Sequence, residues 1–186
     1  MVAKPQTPPA TYADIEALPE HMVGEIIHGV LYANPRPAGP HQTTSSVLGE
    51  ELGPPFRRGR GGPGGWVLMD EPELHFGSDV VVPDLAGWRR ERGIDFTARF
   101  FSDAPDWLCE VLSKSTEVVD RKEKMPLYAW QRVGHVWLAK PTSRLLEIYR
   151  LDGETYRLVA TFAGDEKVRA EPFDAIELDL SALWTP

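Results

Sequence analysis

The spacing of apolar and polar positions marks out most elements of the chain. Glu25–Ala33, EIIHGVLYA, holds two short apolar runs around His28 and Gly29, the pattern of a β-hairpin. From His41 to Leu52 the positions His41, Thr44 or Ser45, Leu48 and Leu52 share one helical face, which predicts a helix. Trp66–Phe76 reads as a single strand, and Pro72 inside it predicts an edge. Val80, Val81 and Val82 form a β-branched run that ends in Pro83 and Asp84. A second apolar run, Trp107–Leu112, is interrupted by one acid, Glu110. Asp120 and Lys124 stand at i and i+4 of a helical segment and so share a face. His135–Ala139 is a strand closed by Pro141, and Leu145–Leu151 with Thr155–Thr161 flank Asp152-Gly153 as a hairpin.

The ends are simpler. Residues 1–10, with Pro5, Pro8 and Pro9, are expected to form a frayed tail. Tyr12–Leu18 suits a short helix with Thr11 as its N-cap and Pro19 beyond it. The tail from Val168 holds a short strand-like piece and a last turn over Leu180–Trp184. Arg57–Gly65, RRGRGGPGG, has no side chains for a core and reads as a mobile loop, with no Gly-Lys-Ser/Thr to make it a phosphate loop. With no internal repeat, the order gives one α+β domain over residues 11–186. Its expected form is a mixed, twisted β-sheet flanked by helices, with a C-terminal β-meander.

Composition narrows the partners. The 186 residues are enough for a sizeable core, and an apolar fraction of 42% is that of a globular protein. No apolar run is long enough to span a bilayer, and a single cysteine, Cys109, excludes a disulfide framework, so a reducing cytoplasm is the default expectation. A net charge of −8 speaks against a broad nucleic-acid surface, which is usually basic. Arg57, Arg58 and Arg60 are the best basic cluster for a phosphate backbone.

The chemistry concentrates between Asp84 and Lys124. Leu108, Cys109, Val111 and Leu112 surround Glu110, and an ionised carboxylate there is costly without a partner. If their strands are adjacent, Asp84 and Glu110 offer two hard oxygens to Mg²⁺ or Mn²⁺, and the carbonyl of Val111 a third. Such an ion relieves the buried charge and activates a water for attack on phosphorus. Lys124, with Lys114 and Lys122 as rivals, can orient that water, or take its proton if neighbours depress its pKa. Each residue also has a plainer reading. Asp84 suits a turn after Pro83, Glu110 an ion pair with Arg121 or Lys124, and Asp120 a helix N-cap. Ser113 and Ser115 lack the setting of a serine nucleophile.

Read together, EIIHG at Glu25–Gly29, then His41, PDLAGW from Pro83, APDWLCEVLSKST, DRKEKMPLY and VGHVWLAKP resemble the Uma family of restriction-type endonucleases, a branch of the PD-(D/E)XK nuclease superfamily. The resemblance implies a restriction-endonuclease-like core. The usual Glu-x-Lys lysine is missing from its strand, where Leu112 stands, and Lys124 on the helix replaces it, with Asp120 and Tyr128 around it. It also implies Glu25 as a further acid and His41 as a polar residue at a helix start. Arg132–His135 and Lys140 depart from the family's usual residues, outside the expected ligands. The expected function is a metal-dependent endonuclease hydrolysing DNA phosphodiester bonds, working as a homo-oligomer, a dimer. The alternatives are a non-catalytic binding or assembly module of the same fold and a hydrolase of another phosphoester.

Overall fold

The computed structural model describes residues 8–36 and 39–184, so most of the expected tail lies outside the described residues. The strands are β1 (Met22–Ile27), β2 (Val30–Pro35), β3 (Trp66–Asp70), β4 (Leu74–Phe76), β5 (Asp79–Val81), β6 (Leu85–Arg89), β7 (Trp107–Val111), β8 (His135–Lys140), β9 (Leu145–Asp152), β10 (Thr155–Ala163), β11 (Lys167–Val168) and β12 (Leu178–Asp179). The α-helices are α1 (Tyr12–Glu16), α2 (Pro40–Leu52), α3 (Glu117–Val119), α4 (Met125–Trp130) and α5 (Ser181–Trp184). A π-type segment, Asp120–Lys124, joins α3 to α4.

The fold is α+β, as expected, with a mixed sheet at its centre. That sheet has the order β10-β9-β8-β7-β6-β3, in which β7 and β8 run parallel and the other neighbours antiparallel. The N-terminal strands do not join it: β2-β1-β5-β4 form an antiparallel sheet of their own. The meander β8-β9-β10 extends the large sheet, and β11 and β12 form a two-stranded sheet.

One bent ribbon links the two sheets. Leu74 pairs with Val81 in the small sheet, and Asp70 pairs with Leu85 in the large one. The residues between are where the ribbon turns the corner. Trp66–Phe76 is therefore not one strand: Glu71 takes a positive φ of 45°, and Pro72 has no amide to give a ladder. The Glu71 amide donates instead to the Asp84 carbonyl at 3.0 Å, across the bend. Each half, β3 and β4, is an edge of its own sheet.

Strand β7 is buried throughout because both faces of the large sheet are covered. Trp107, Cys109 and Val111 pack with Leu48 and Leu52 of α2 and with Phe173 near the C-terminus. Leu108 and Leu112 pack on the opposite face with Leu127 and Tyr128 of α4. Glu110 falls between them by the same alternation, under the helix.

Other details follow local chemistry. His28 (φ 52°) and Gly29 (φ 76°) make the left-handed turn of the first hairpin. Gly24 lets α1 close on β1, since a Cβ there would lie 2.6 Å from Leu18 Cδ1. The Thr11 amide donates to Asp14 Oδ2 at 2.7 Å, and the helix ends at Glu16, short of Leu18. The second hairpin pairs Asp152 with Thr155, so its turn is Gly153-Glu154, one residue later than the dipeptide suggested. The glycine-rich loop is tied back rather than left free. The Arg60 amide donates to Pro54 O and the Gly64 amide to Pro55 O, both at 2.8 Å. Among the described residues no helix is long and apolar enough to cross a membrane.

Candidate active site

Asp84 stands at the corner of the ribbon, one residue before β6. Because Leu85 pairs with Cys109, the register sets Asp84 opposite Glu110 of the neighbouring strand. Ala86 and Trp88 share a core cluster with Leu108 and Leu112, so the positions of Asp84 and Glu110 fall on the same face of the sheet. The Val111 amide donates to Asp84 Oδ2 at 2.7 Å, and His41 Nε2 lies 3.3 Å from Oδ1. His41 comes from the first turn of α2, whose Thr44, Leu48 and Leu52 face the core as predicted.

The helical segment supplies the rest. Asp120, Lys124 and Tyr128 recur every four residues and all point inward. Lys124 Nζ lies 2.8 Å from Glu25 Oε1, 3.3 Å from Glu110 Oε1 and 3.4 Å from Asp120 Oδ1. The Tyr128 hydroxyl donates to Glu110 Oε1 at 2.5 Å. Glu25, on β1, also accepts the Val82 amide at 2.8 Å, which ties the hairpin sheet to the corner.

Exposure decides how these charges behave. Glu25, Glu110, Asp120 and Lys124 are only 6%, 3%, 3% and 5% exposed, so water screens them little. Burial pushes the Glu110 carboxyl well above the usual carboxylate range, and the Lys124 ammonium does not pull it back. Burial raises Asp120 too, again against Lys124. Burial alone would lower Lys124, but Glu110, Glu25 and Asp120 outweigh it and hold the amine well above its ordinary value. Lys124 is therefore held as an ammonium, and of its two expected roles the neighbours favour orienting a water over taking its proton. Burial first, then the nearby acids, keep the Tyr128 phenol protonated, as its donated hydrogen bond requires. Burial would lower His41 as well, but Asp84 beside it raises it on balance.

A cleft of about 310 Å³ opens on these groups, lined by Glu25, His41, Asp84, Glu110, Val111, Asp120 and Lys124 among others. Lys114 and Lys122 are exposed and do not line it. Arg121 is no partner for Glu110, since it bonds Glu117 at 3.1 Å and Glu147 at 2.8 Å. Tyr128 packs at the back of the site as the resemblance implied. Ser113, Ser115 and Thr116 also line the cleft, and Thr116 bonds Asp120. Sequence reading weighed Ser113 and Ser115 only as nucleophiles. Their signal was a hydroxyl-rich turn just before a helix with an acid in its first turn.

The donor set limits what the cleft can hold. Among the described residues no three His, Cys, Asp or Glu side chains are grouped to hold a metal ion by themselves. Two carboxylates, Asp84 and Glu110, with the backbone of Val111 beside them, suit a hard cation that keeps several waters, and not a closed structural zinc site. Arg57 and Arg58 are exposed and lie apart from this cleft, along a second groove of about 360 Å³ that Arg60 does not line.

Residues 10–181 match the family model Uma2, described as "Putative restriction endonuclease". Among solved structures the chain is similar to one described as "a putative nuclease belonging to DUF820", from Anabaena variabilis. The two are 23% identical, with a TM-score of 0.74, over 95% of this chain and 98% of that one. That likeness shows the fold. No curated protein matches the chain.

Proposed function

The chain belongs to the Uma2 family, and from that premise we propose that it is a metal-dependent phosphodiesterase acting on DNA. One observation carries the reading: Asp84 and Glu110 meet on one sheet face, in a cleft shared with the Lys124 ammonium. Asp84, Glu110 and the carbonyl of Val111 would hold Mg²⁺ or Mn²⁺, with waters and a substrate phosphate completing its sphere. When bound, the ion supplies Lewis acidity and a more acidic water.

The chain's own residues orient and charge the site. Tyr128 and Lys124 both engage Oε1 of Glu110, which leaves the other oxygen for the cation. The Val111 amide and His41 fix the Asp84 carboxylate in one orientation. Lys124 presents a fixed positive charge that positions the attacking water and opposes the charge growing on phosphorus. Glu25 and Asp120 are positioning residues for Lys124.

A second reading has its own observation. An ammonium enclosed by three acids at 2.8–3.4 Å is satisfied internally, which is what a binding module with no catalysis would keep. Calorimetric Mn²⁺ titration beside a plasmid-nicking assay separates the two. We expect Mn²⁺ binding and nicking by the wild type, weaker binding and no nicking in Asp84→Asn, and the same loss in Glu110→Gln. A wild type that neither binds Mn²⁺ nor nicks plasmid leaves the binding module.

A further inference from the structure

We infer that the groove along α2 is the track of the nucleic-acid strand, running from the scissile phosphate at Asp84 to an anchor at Arg57 and Arg58. This rests on the phosphodiesterase reading and extends it to how the substrate lies. The first support is continuity. The active-site cleft shares His41, Glu71 and Asp84 with an adjoining hollow of about 250 Å³, which shares Ser46 and Asp70 with the groove that Arg57 and Arg58 line. The three hollows thus lie side by side in a row from Asp84 to Arg57 and Arg58.

The second support is a glycine. Gly49 lies within α2 and lines the groove, where a glycine costs the helix stability. Packing does not require it: a Cβ there would meet only Asp70 Oδ1 at 3.5 Å and Leu85 Cδ2 at 3.8 Å, ordinary contacts. The missing side chain leaves room in the groove for something outside the chain.

The third support is charge. Among the described residues Arg57 and Arg58 have no ion-pair partner, as is also true of several other arginines, Arg60 and Arg132 among them, but they are the two that line this groove; Arg36, Arg92, Arg121 and Arg150 each face an acid. On a chain of net charge −8, two unpaired guanidiniums at the end of a groove are a specific place for phosphate. Between the ends the polar walls are Gln42, Ser45, Ser46, Glu50, Asp70 and Glu71. Asp70, Glu71 and Glu50 repel phosphate and accept from donors, so sugar hydroxyls or base amino groups lie against these three and the phosphates between the ends face solvent. The span follows from the helix. At ~1.5 Å per residue, α2 from His41 to Leu52 covers about 18 Å, and Gly53–Arg57 continues to the anchor, so the track takes at least roughly five nucleotides at the ~3.4 Å rise of a stacked strand.

The test reads binding by fluorescence anisotropy in Ca²⁺, with labelled dinucleotide, hexanucleotide and dodecanucleotide, over a salt series. Wild-type affinity should rise from dinucleotide to hexanucleotide and then level off. Arg57→Ala/Arg58→Ala should lower the slope of log K against log salt by about 1.4 for the hexanucleotide, ~0.7 for each lost single-strand phosphate contact, and leave the dinucleotide unchanged. Gly49→Gln keeps a good helix former and fills the groove, and should abolish the gain with length. Unchanged slopes and an unchanged gain with length in both variants overturn the track. Mn²⁺-dependent hydrolysis of bis(p-nitrophenyl) phosphate, which has no strand to lay in the groove, is run beside it. No hydrolysis together with intact length-dependent binding overturns the phosphodiesterase reading and supports the track.

Discussion

Replacing Lys124 with Met should make the stability of the protein depend steeply on pH. Met keeps most of the apolar stem but removes the ammonium that lies within 3.4 Å of Glu25, Glu110 and Asp120. Removing one partner of a buried ion pair costs about 3–5 kcal/mol, and these groups are 3–6% exposed, so solvent offers little relief. Against a domain stability of about 5–15 kcal/mol, that leaves a marginal fold at neutral pH. The sign with pH is fixed by Glu110 and Asp120, whose carboxyls burial already raises and which Lys124 opposes. Without Lys124 they rise further. A group whose pKa is raised by folding favours the fold below its unfolded value, about 4 for these acids, and loses that contribution as pH rises through the folded value. The deficit of Lys124→Met should therefore be smallest near pH ~4 and grow towards neutrality, by about 1.4 kcal/mol for each unit of added shift. Urea unfolding followed by the fluorescence of the buried Trp66, Trp88, Trp107 and Trp137 reads it directly. The companion variant Glu110→Gln/Lys124→Met should recover more than about 1 kcal/mol of the loss at neutral pH. A deficit that is flat with pH, or a double variant no better than the single one, would refute the idea that the acids share this ammonium.

Four further outcomes are expected. Tyr128→Phe removes the 2.5 Å hydrogen bond to Glu110 and should cost about 1.5–3 kcal/mol in the same urea assay. Thr44→Val strips the Leu183 carbonyl of its 2.8 Å donor, which should cost about 1–3 kcal/mol and speed amide exchange in α5. Gly24→Ala drives a Cβ to 2.6 Å from Leu18, and a thermal melt should show a loss of about 1–3 kcal/mol. Gly49→Ala, which meets no close contact, should instead stabilise the fold by about 1 kcal/mol.

Periodicity carried the reading of sequence where one face of an element is buried and the other is not. The α2 stripe, the first hairpin and the strand β8 emerged at nearly their observed bounds for that reason. It failed at Glu71 and Pro72, because a bend that moves a strand from one sheet to another leaves the apolar spacing unbroken. At Arg57–Gly65 glycine content could not show the backbone hydrogen bonds that tie the loop to Pro54 and Pro55, since composition does not record them. In the site, the cost of burying Glu110 was visible from its neighbours alone. The convergence of Glu25 and Asp120 on Lys124 was not, since it depends on how two sheets and a helix pack. Nor was the ammonium state of Lys124, which reverses what burial by itself would predict.

The corner that joins the sheets also has a consequence for synthesis. Glu25 leaves the ribosome with the first hairpin, Asp84 and Glu110 follow much later, and Lys124 comes later still. Domains rich in such distant contacts assemble late and together, because loop closure is paid before the contacts repay it. A nascent or C-terminally cut chain that ends before the helix therefore carries Glu25 and Glu110 without Lys124, the cation against which its hairpin docks. The cluster around Lys124 is complete only when both sheets and the helix have closed on one another.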